Sequence, residues 1–341
     1  MEVLDLSAEA VRPVMRVEKI PHSLPGTSSA QGMAIFGSLI FQLYHTGLCA
    51  VYDLETRSSS PLAVFPLGSF NDGVPEIPDG KGSDYINHSN QCMFSRRYIG
   101  GNDLPLLYVT VGYGTGADKN GYFYRCAVEN ITLRRDADGK IIGGSSETVQ
   151  KIRYRDGGIE KTPWQQPCWG CPAWFVNEKD EKDENDKNDE KSGNIVMFSA
   201  KTRTTAAHRD HWPDNRYIVT KFPLPDPADG GTVTFGPTDI LDQFDCPFDI
   251  PFTQGGMIAG NKIFYSFGCG CAHDHLYPDG VRVYDLEKKR LCAKMDLKDS
   301  CLGDEEVECV SFFGDELYIN TNAGTQVGYY SLGKDFAGLI G

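Results

Sequence analysis

The sequence predicts an all-β protein built from a repeated unit of three or four short strands. Glycine and proline are abundant, at 37 and 19 of 341 residues, and aromatic residues make up 11%. Short runs of β-branched and aromatic residues recur between turn signals, and the 3.6-residue periodicity of long helices is missing. Segment 31–41 also aligns without a gap with segment 254–264, which indicates an internal repeat.

The repeat continues beyond this first pair of segments. Segment 51–55 is identical to segment 283–287, and segment 308–318 is a third copy of the opening strands. In each copy an apolar strand ends at a glycine and one further residue before the next strand begins, which is typical of a two-residue hairpin turn. Two more degenerate units bring the count to five, each about 40 to 70 residues long, the spacing of β-propeller blades.

The chain is therefore predicted to be a single five-bladed β-propeller domain. The predicted blades are 29–69, 85–155, 168–225, 254–299 and 305–333. The last blade lacks an outer strand, and segment 14–20 is a strand without a partner. We expect it to pair with segment 326–332, because closing the ring would hide two open edges. Segment 231–250 is interpreted as an insertion between blades three and four.

One segment of the third blade is low in complexity and almost entirely charged. Residues 178–191 contain eight acidic residues and four lysines. Such a segment cannot bury enough apolar area to offset the entropy of ordering. It is predicted to be a disordered acidic loop, and an acidic binding tail is the alternative.

The blade-opening pattern resembles uncharacterised bacterial propeller proteins in which Gln-Gly opens the blades. The resemblance rests on Gln-Gly followed by an apolar strand, then Leu-Ile-Phe and Val-Tyr-Asp-Leu, and it extends over nearly the whole chain. It implies a propeller fold. It implies little about function, because propellers include lyases, hydrolases, transferases, lectins and scaffolds.

Composition and charge exclude several classes of function. No apolar run approaches eighteen residues, which argues against a membrane span. A net charge of −14 argues against nucleic acid as the main partner, because phosphate binding needs a basic surface. The first sixteen residues lack the pattern of a secretory signal. The number of cysteines is eleven, which is odd, and this favours a reduced cytoplasmic chain over a disulfide framework. A signal already removed remains an alternative, and the sequence does not indicate the oligomeric state.

The start of each innermost strand is the main candidate site. In a propeller these strands line the central channel, so residues at their starts converge on one face. The aligned positions are Gln31, Asn90, Cys171, Gln254 and Glu308. Two residues earlier stand Ser29, His88, Trp169, Phe252 and Glu306. We expect this ring to bind a small polar molecule, a sugar or an organic anion, with Trp169 and Tyr113 stacked on a sugar face. Alternatively, the same polar residues only satisfy backbone groups or hold water.

Two other classes of function remain open. The first is a lyase or hydrolase, with His88 as general base and Glu306 or Glu308 as acid or metal ligand. The second is a protein-interaction scaffold with an exposed apolar patch. The sequence leaves open whether the protein is an enzyme.

The cysteine pattern suggests a metal site. Closely spaced thiolates and imidazoles are the ligands of tetrahedral zinc. The candidates are Cys168, Cys171, Cys269, Cys271, His273 and His275. The two groups are about a hundred residues apart, and free cysteines in buried strands are the alternative. No cofactor other than this possible divalent metal is indicated.

Overall fold

A computed structural model of the protein describes residues 2–7, 11–21, 29–44, 47–71, 91–111, 125–157, 159–160, 169–178, 193–202, 204, 206–249, 252–268, 279–297 and 300–340. These residues form five separate sheets, and each sheet is one blade.

The N-terminal segment and the first blade open the fold. The N-terminal segment contains two strands, β1 (Leu4–Asp5) and β2 (Arg12–Glu18). Blade one is a four-stranded antiparallel sheet of β3 (Ala30–Phe36), β4 (Leu39–Tyr44), β5 (Leu48–Asp53) and β6 (Ala63–Pro66). A single helical turn, α1 (Gly68–Asn71), follows. The buried Glu129 carboxylate accepts hydrogen bonds from the backbone N–H groups of Gly68 and Ser69, both at 3.0 Å, and so caps this turn.

Blade two contains the longest hairpin. Its strands are β7 (Cys92–Phe94), β8 (Leu107–Val111), β9 (Arg125–Arg135), β10 (Ile141–Asp156) and β11 (Ile159–Glu160). The hairpin of β9 and β10 extends past the outer strand of blade one, and Gly144 lies against the Phe65 ring of that strand.

Blade three corrects one interpretation of the sequence. Its first strands are β12 (Trp169–Glu178), β13 (Gly193–Thr202) and β14 (Arg216–Pro223), followed in the chain by β15 (Thr232–Phe235) and β16 (Asp242–Pro247). Segment 231–250 is not an insertion: β16 pairs with β14 as the outer strand of blade three, and β15 pairs in parallel with β10 of blade two. The sequence pattern did not identify β16 as a blade strand, because β16 is an edge strand with few buried side chains. Its partner also lies far back in the chain.

The last two blades complete the ring. Blade four consists of β17 (Thr253–Ala259), β18 (Lys262–Phe267), β19 (Gly280–Asp285) and β20 (Arg290–Asp296). Blade five contains β21 (Glu306–Phe313), β22 (Glu316–Ala323) and β23 (Gln326–Ser331). Short 3₁₀ segments cover Ala206–Asp214, Pro227–Asp229, Pro237–Asp239 and Ala337–Leu339.

Closure by the N-terminal strand is confirmed. β2 pairs antiparallel with β23, from Arg12 opposite Ser331 to Glu18 opposite Gln326. The closing strand runs over 12–18 where the sequence predicted 14–20. The N-terminus also joins a second blade, because β1 pairs in parallel with β20. The all-β, five-bladed propeller is thus confirmed by the sheets themselves.

Apolar side chains between adjacent blades form the core. Phe41 and Val51 of blade one pack with Leu107 of blade two in one buried cluster. Val17 of the closing strand and Tyr329 lie in the buried cluster between blades five and one. The core therefore consists of layers between adjacent blades.

Candidate ligand-binding site at the channel mouth

The inner strands of blades one, four and five begin with the same irregularity, and β12 of blade three has a register shift between Trp169 and Ala173. Gln31, Gln254 and Glu308 each lie in a register shift between the first and second strands of their blade. Such β-bulges add unpaired backbone to one strand, and they are frequent next to binding sites. The aligned sequence positions therefore occupy one structural position in blades one, four and five.

Polar side chains satisfy the backbone that the bulges leave unpaired. The Gln31 carbonyl accepts hydrogen bonds from Gln42 Nε2 at 3.1 Å and from Asn320 Nδ2 at 2.7 Å. In blade four, Ser266 Oγ donates to the Gly255 carbonyl at 2.7 Å. The Gln31 amide is 5% exposed and donates to the adjacent Ala30 carbonyl at 2.9 Å. In this structure the Gln31 side-chain amide is therefore hydrogen-bonded to backbone, and its role in ligand binding stays a prediction.

Gln254 and the two carboxyl groups of blade five lie together. Gln254 Nε2 donates to Glu306 Oε1 at 3.1 Å and to the Gly268 carbonyl at 2.7 Å. Glu306 and Glu308 are close enough to interact electrostatically. The structure therefore brings together three of the residues that the sequence singled out.

Glu308 is a buried acid, 2% exposed. Burial raises its pKa well above the ordinary value, and the Glu306 carboxylate raises it further, whereas a hydrogen bond from Asn322 Nδ2 opposes both. The same Asn322 amide donates to the Ala30 carbonyl at 3.1 Å and so connects Glu308 to blade one.

Two further charged groups face this cluster. Burial lowers the pKa of the Lys19 ammonium, and the charges of Glu308 and Glu306 oppose that shift. Asp279 is 8% exposed, accepts a hydrogen bond from the Val307 N–H at 3.2 Å and raises the pKa of Glu308. We refer to Lys19, Gln254, Asp279, Glu306, Glu308 and Asn322 as the mouth cluster.

Gln91 crosses the ring between blades that are not neighbours. Its Nε2 donates to the Gly256 carbonyl of blade four at 3.1 Å. Its Oε1 accepts from Thr110 Oγ1 of blade two at 3.0 Å. The side chain is fully buried and links blades two and four.

Sequence reasoning missed several of these groups. Asn322 could have been predicted from the sequence. If residues are paired outward from the Gly314 turn, Asn322 lies opposite the Glu306–Val307 end of the hairpin. Gln91 directly follows the predicted Asn90. Lys19 and Asp279 reach the cluster from the closing segment and from a connection, and no repeat pattern marks them.

Most other predicted site residues lie outside the described residues. These are His88, Asn90, Tyr113, Cys168, Cys269, Cys271, His273 and His275. Trp169 and Cys171 are placed in β12 by their backbone alone, and the acidic loop falls outside from residue 179 onward.

The metal site and its role therefore stay predictions. Over the described ranges, no three His, Cys, Asp or Glu side chains are grouped to hold a metal ion. The seven cysteines whose side chains the structure describes are all free thiols. No described helix is both long and apolar enough to cross a membrane.

Fold and site together define a five-bladed propeller with an amide and carboxyl cluster at its channel mouth. No protein-family model matches the chain, and no curated protein matches it. Among solved structures, it is similar to a glutaminyl cyclase of Myxococcus xanthus, with 10% identity over 96% of this chain and 97% of that one and a TM-score of 0.44. It is also similar to a gluconolactonase of Xanthomonas campestris, with 12% identity over 95% and 98% of the two chains and a TM-score of 0.40. These likenesses assign no activity to the chain.

Proposed function

We propose that the protein binds a small, neutral, polyhydroxylated molecule such as a sugar at the mouth cluster. The observation that carries this proposal is the array of Gln254, Glu306 and Glu308, in which an amide and two carboxyl groups meet at the start of the inner strands. Hydroxyl groups of a sugar both donate and accept, so they match carboxylate acceptors and amide donors in the same small space.

The charges of the cluster favour a sugar over an organic anion. Among the described residues, the carboxyl groups of Glu306, Glu308 and Asp279 interact with one ammonium group, that of Lys19. Even with Glu308 protonated, Glu306 and Asp279 would repel a carboxylate ligand. A neutral ligand avoids this repulsion, because burying an unpaired anion beside like charges is costly.

Binding measurements on matched variants test this proposal. Isothermal titration with a panel of monosaccharides and, separately, citrate and malate at pH 7 identifies the preferred class. For the sugar that binds best, Glu306→Gln and Gln254→Leu are each expected to weaken binding about tenfold or more, since each removes a hydrogen bond to the ligand.

Glu316→Gln is the matched control, because Glu316 begins β22 at the opposite end of the hairpin that contains Glu306. It should leave sugar binding unchanged. Preference for citrate or malate over every sugar, or equal loss in Glu306→Gln and the control, would overturn the proposal.

A second candidate function, a lyase or hydrolase, is supported by Glu308 alone. A carboxyl group whose pKa is raised by burial keeps its proton to higher pH than an exposed one, which suits it to act as a general acid. His88 would be the general base. Turnover of acyl and glycosidic sugar derivatives, followed by NMR, should be lost in Glu308→Gln while sugar binding persists. A wild-type protein that converts none of them argues for binding alone.

A further inference from the structure

A cleft of about 560 Å³ lies between blades one and two. It is lined by the turn after β3, by Leu62 ahead of β6, by Leu104 and by the tip of the hairpin of β9 and β10. The turn after β3 is at the opposite end of that strand from Gln31. At about 3.3 Å per residue, the cleft lies roughly 20 Å from the channel mouth. It is therefore separate from the mouth cluster.

The walls of the cleft are apolar. Phe36, Leu39, Leu62 and Leu133 line it while resting on the buried cluster between blades one and two. Each is only partly buried, so each keeps apolar surface open to the cleft. Covering that surface would be favourable by about 25 cal/mol per Å².

The rim of the cleft carries charged side chains of both signs. Arg135 and Lys140 lie on the hairpin tip, Asp53 is the last residue of β5, and Asp103 lies on the connection before β8. Arg135 Nη1 donates to the Gly139 carbonyl at 2.8 Å, which orients the guanidinium. Within the described part of the chain these four side chains form no ion pair with one another, and Arg135 Nε and Nη2 have no partner. The volume is in the range of small-molecule sites, which is roughly 300 to 1,000 Å³.

We propose that this cleft binds a short apolar peptide with free termini. The open guanidinium fork of Arg135 suits a planar carboxylate, which it can bind with two parallel hydrogen bonds. Asp53 and Asp103 suit an ammonium group, and the apolar walls suit aliphatic side chains between the two termini. A simple anion would be repelled by the carboxylates of the two aspartates. An uncharged apolar molecule would give none of the four charged side chains an ionic partner.

Three dipeptide probes test the charge requirement on the full chain. Leu-Leu is expected to bind in isothermal titration. Leu-Leu amide, which lacks the carboxylate, and N-acetyl-Leu-Leu, which lacks the ammonium, should each bind about tenfold more weakly or worse. Equal affinity for all three probes, or no binding of Leu-Leu at millimolar concentration, would overturn the proposal.

Matched variants locate the site. Arg135→Gln should weaken Leu-Leu binding by about tenfold. Arg134→Gln should not, because adjacent strand residues point to opposite faces and Arg134 does not line the cleft. Loss of Leu-Leu binding in Glu306→Gln but not in Arg135→Gln would place the peptide at the channel mouth and refute this cleft. The sugar titrations test the mouth cluster independently, so neither peptide result bears on the proposed sugar binding.

Discussion

Two glutamates of one hairpin show how surroundings decide the behaviour of a residue. Glu308 is buried near Glu306, so its pKa is raised. Glu316, near the other end, is also penalised by burial, but hydrogen bonds from Ser331 and Arg12 outweigh that penalty and lower its pKa. Residue type alone therefore gives no indication of which glutamate stabilises the fold at neutral pH.

Glu308→Gln is expected to change how stability depends on pH. With a raised pKa, the folded protein keeps a proton that the unfolded chain releases above about 4.5. The free energy of unfolding of the wild type therefore falls as pH rises, by at most about 1.4 kcal/mol per pH unit from this group, until the folded pKa is passed. The variant should lack this decline and be the more stable protein at high pH. Urea unfolding from pH 4 to 9 measures the difference.

Glu316→Gln is expected to change the pH dependence of stability in the opposite direction. A lowered pKa adds stability above the ordinary value and loses it as pH falls through the folded pKa. This variant should be less stable than the wild type at pH 7, and the gap should close in acid. Parallel pH profiles for wild type and Glu308→Gln would contradict the assignment of Glu308 as a buried proton-holding acid.

At the scale of elements, the repeat is reproduced down to single hydrogen bonds. Gly37, Gly260 and Gly314 hold the first turn of their blades with φ of 57°, 56° and 59°. Only the first central residue of each turn has positive φ, which is the type II′ hairpin that favours glycine there. The identical Val-Tyr-Asp-Leu-Glu segments also fold alike: Asp53 and Asp285 each accept from the N–H two residues on, at 3.0 and 3.1 Å.

Replacing these turn glycines by alanine should cost unequal amounts. Gly37→Ala and Gly314→Ala should lower the free energy of unfolding by about 1 kcal/mol each, because a Cβ is strained at positive φ but meets open space. Gly260→Ala should cost more, because its Cβ would overlap the Ile340 carbonyl oxygen. Urea midpoints measure all three, and an equal cost at Gly260 and Gly37 would show that the C-terminal segment does not pack there.

At the scale of the whole molecule, the N-terminal segment fastens two blades. β2 completes blade five, with ion pairs from Arg16 to Glu305 and from Arg12 to Glu316. β1 extends blade four, where Lys294 Nζ pairs with Asp5 Oδ2 at 3.0 Å. Blades three and four are tied by the buried Arg282, whose Nε donates to Asp249 Oδ1 at 2.8 Å on the connection between them.

Truncation should separate the contributions of the two N-terminal strands. Deleting residues 1–7 removes β1 and the buried Leu6, which should cost about 2 to 3 kcal/mol. Deleting residues 1–20 also removes the buried Met15 and Val17 and exposes the edge of β23, so the loss should approach the whole stability of the domain. Urea unfolding measures both.

A synthetic peptide of residues 1–20 provides the control. Added to the longer truncation, it should restore the folded signal in circular dichroism. An unchanged urea midpoint after deletion of residues 1–20 would contradict closure by β2.

About half of the residues of the candidate site could be predicted from the sequence. The gapless repeat placed Gln31, Gln254 and Glu308 at one structural position, because equal spacing from equal turns forces equal register. It gave no reason to separate them by role. Their surroundings differ in the folded protein: Gln31 donates to the adjacent Ala30 carbonyl, whereas Gln254 donates to the Gly268 carbonyl and to Glu306 of the neighbouring blade.

The sequence by itself determined the blades, their turns and the need for a closing strand, because strand alternation, turn glycines and unpaired edges are local properties of the chain. Only the tertiary structure decided which distant segments complete a sheet and which charges share a site. β16 joined blade three, Lys19 and Asp279 reached Glu308, and Gln91 crossed the channel through contacts between residues far apart in sequence. Burial and electrostatic partners are set by such contacts, which bring Gln254, Glu306 and Glu308 together.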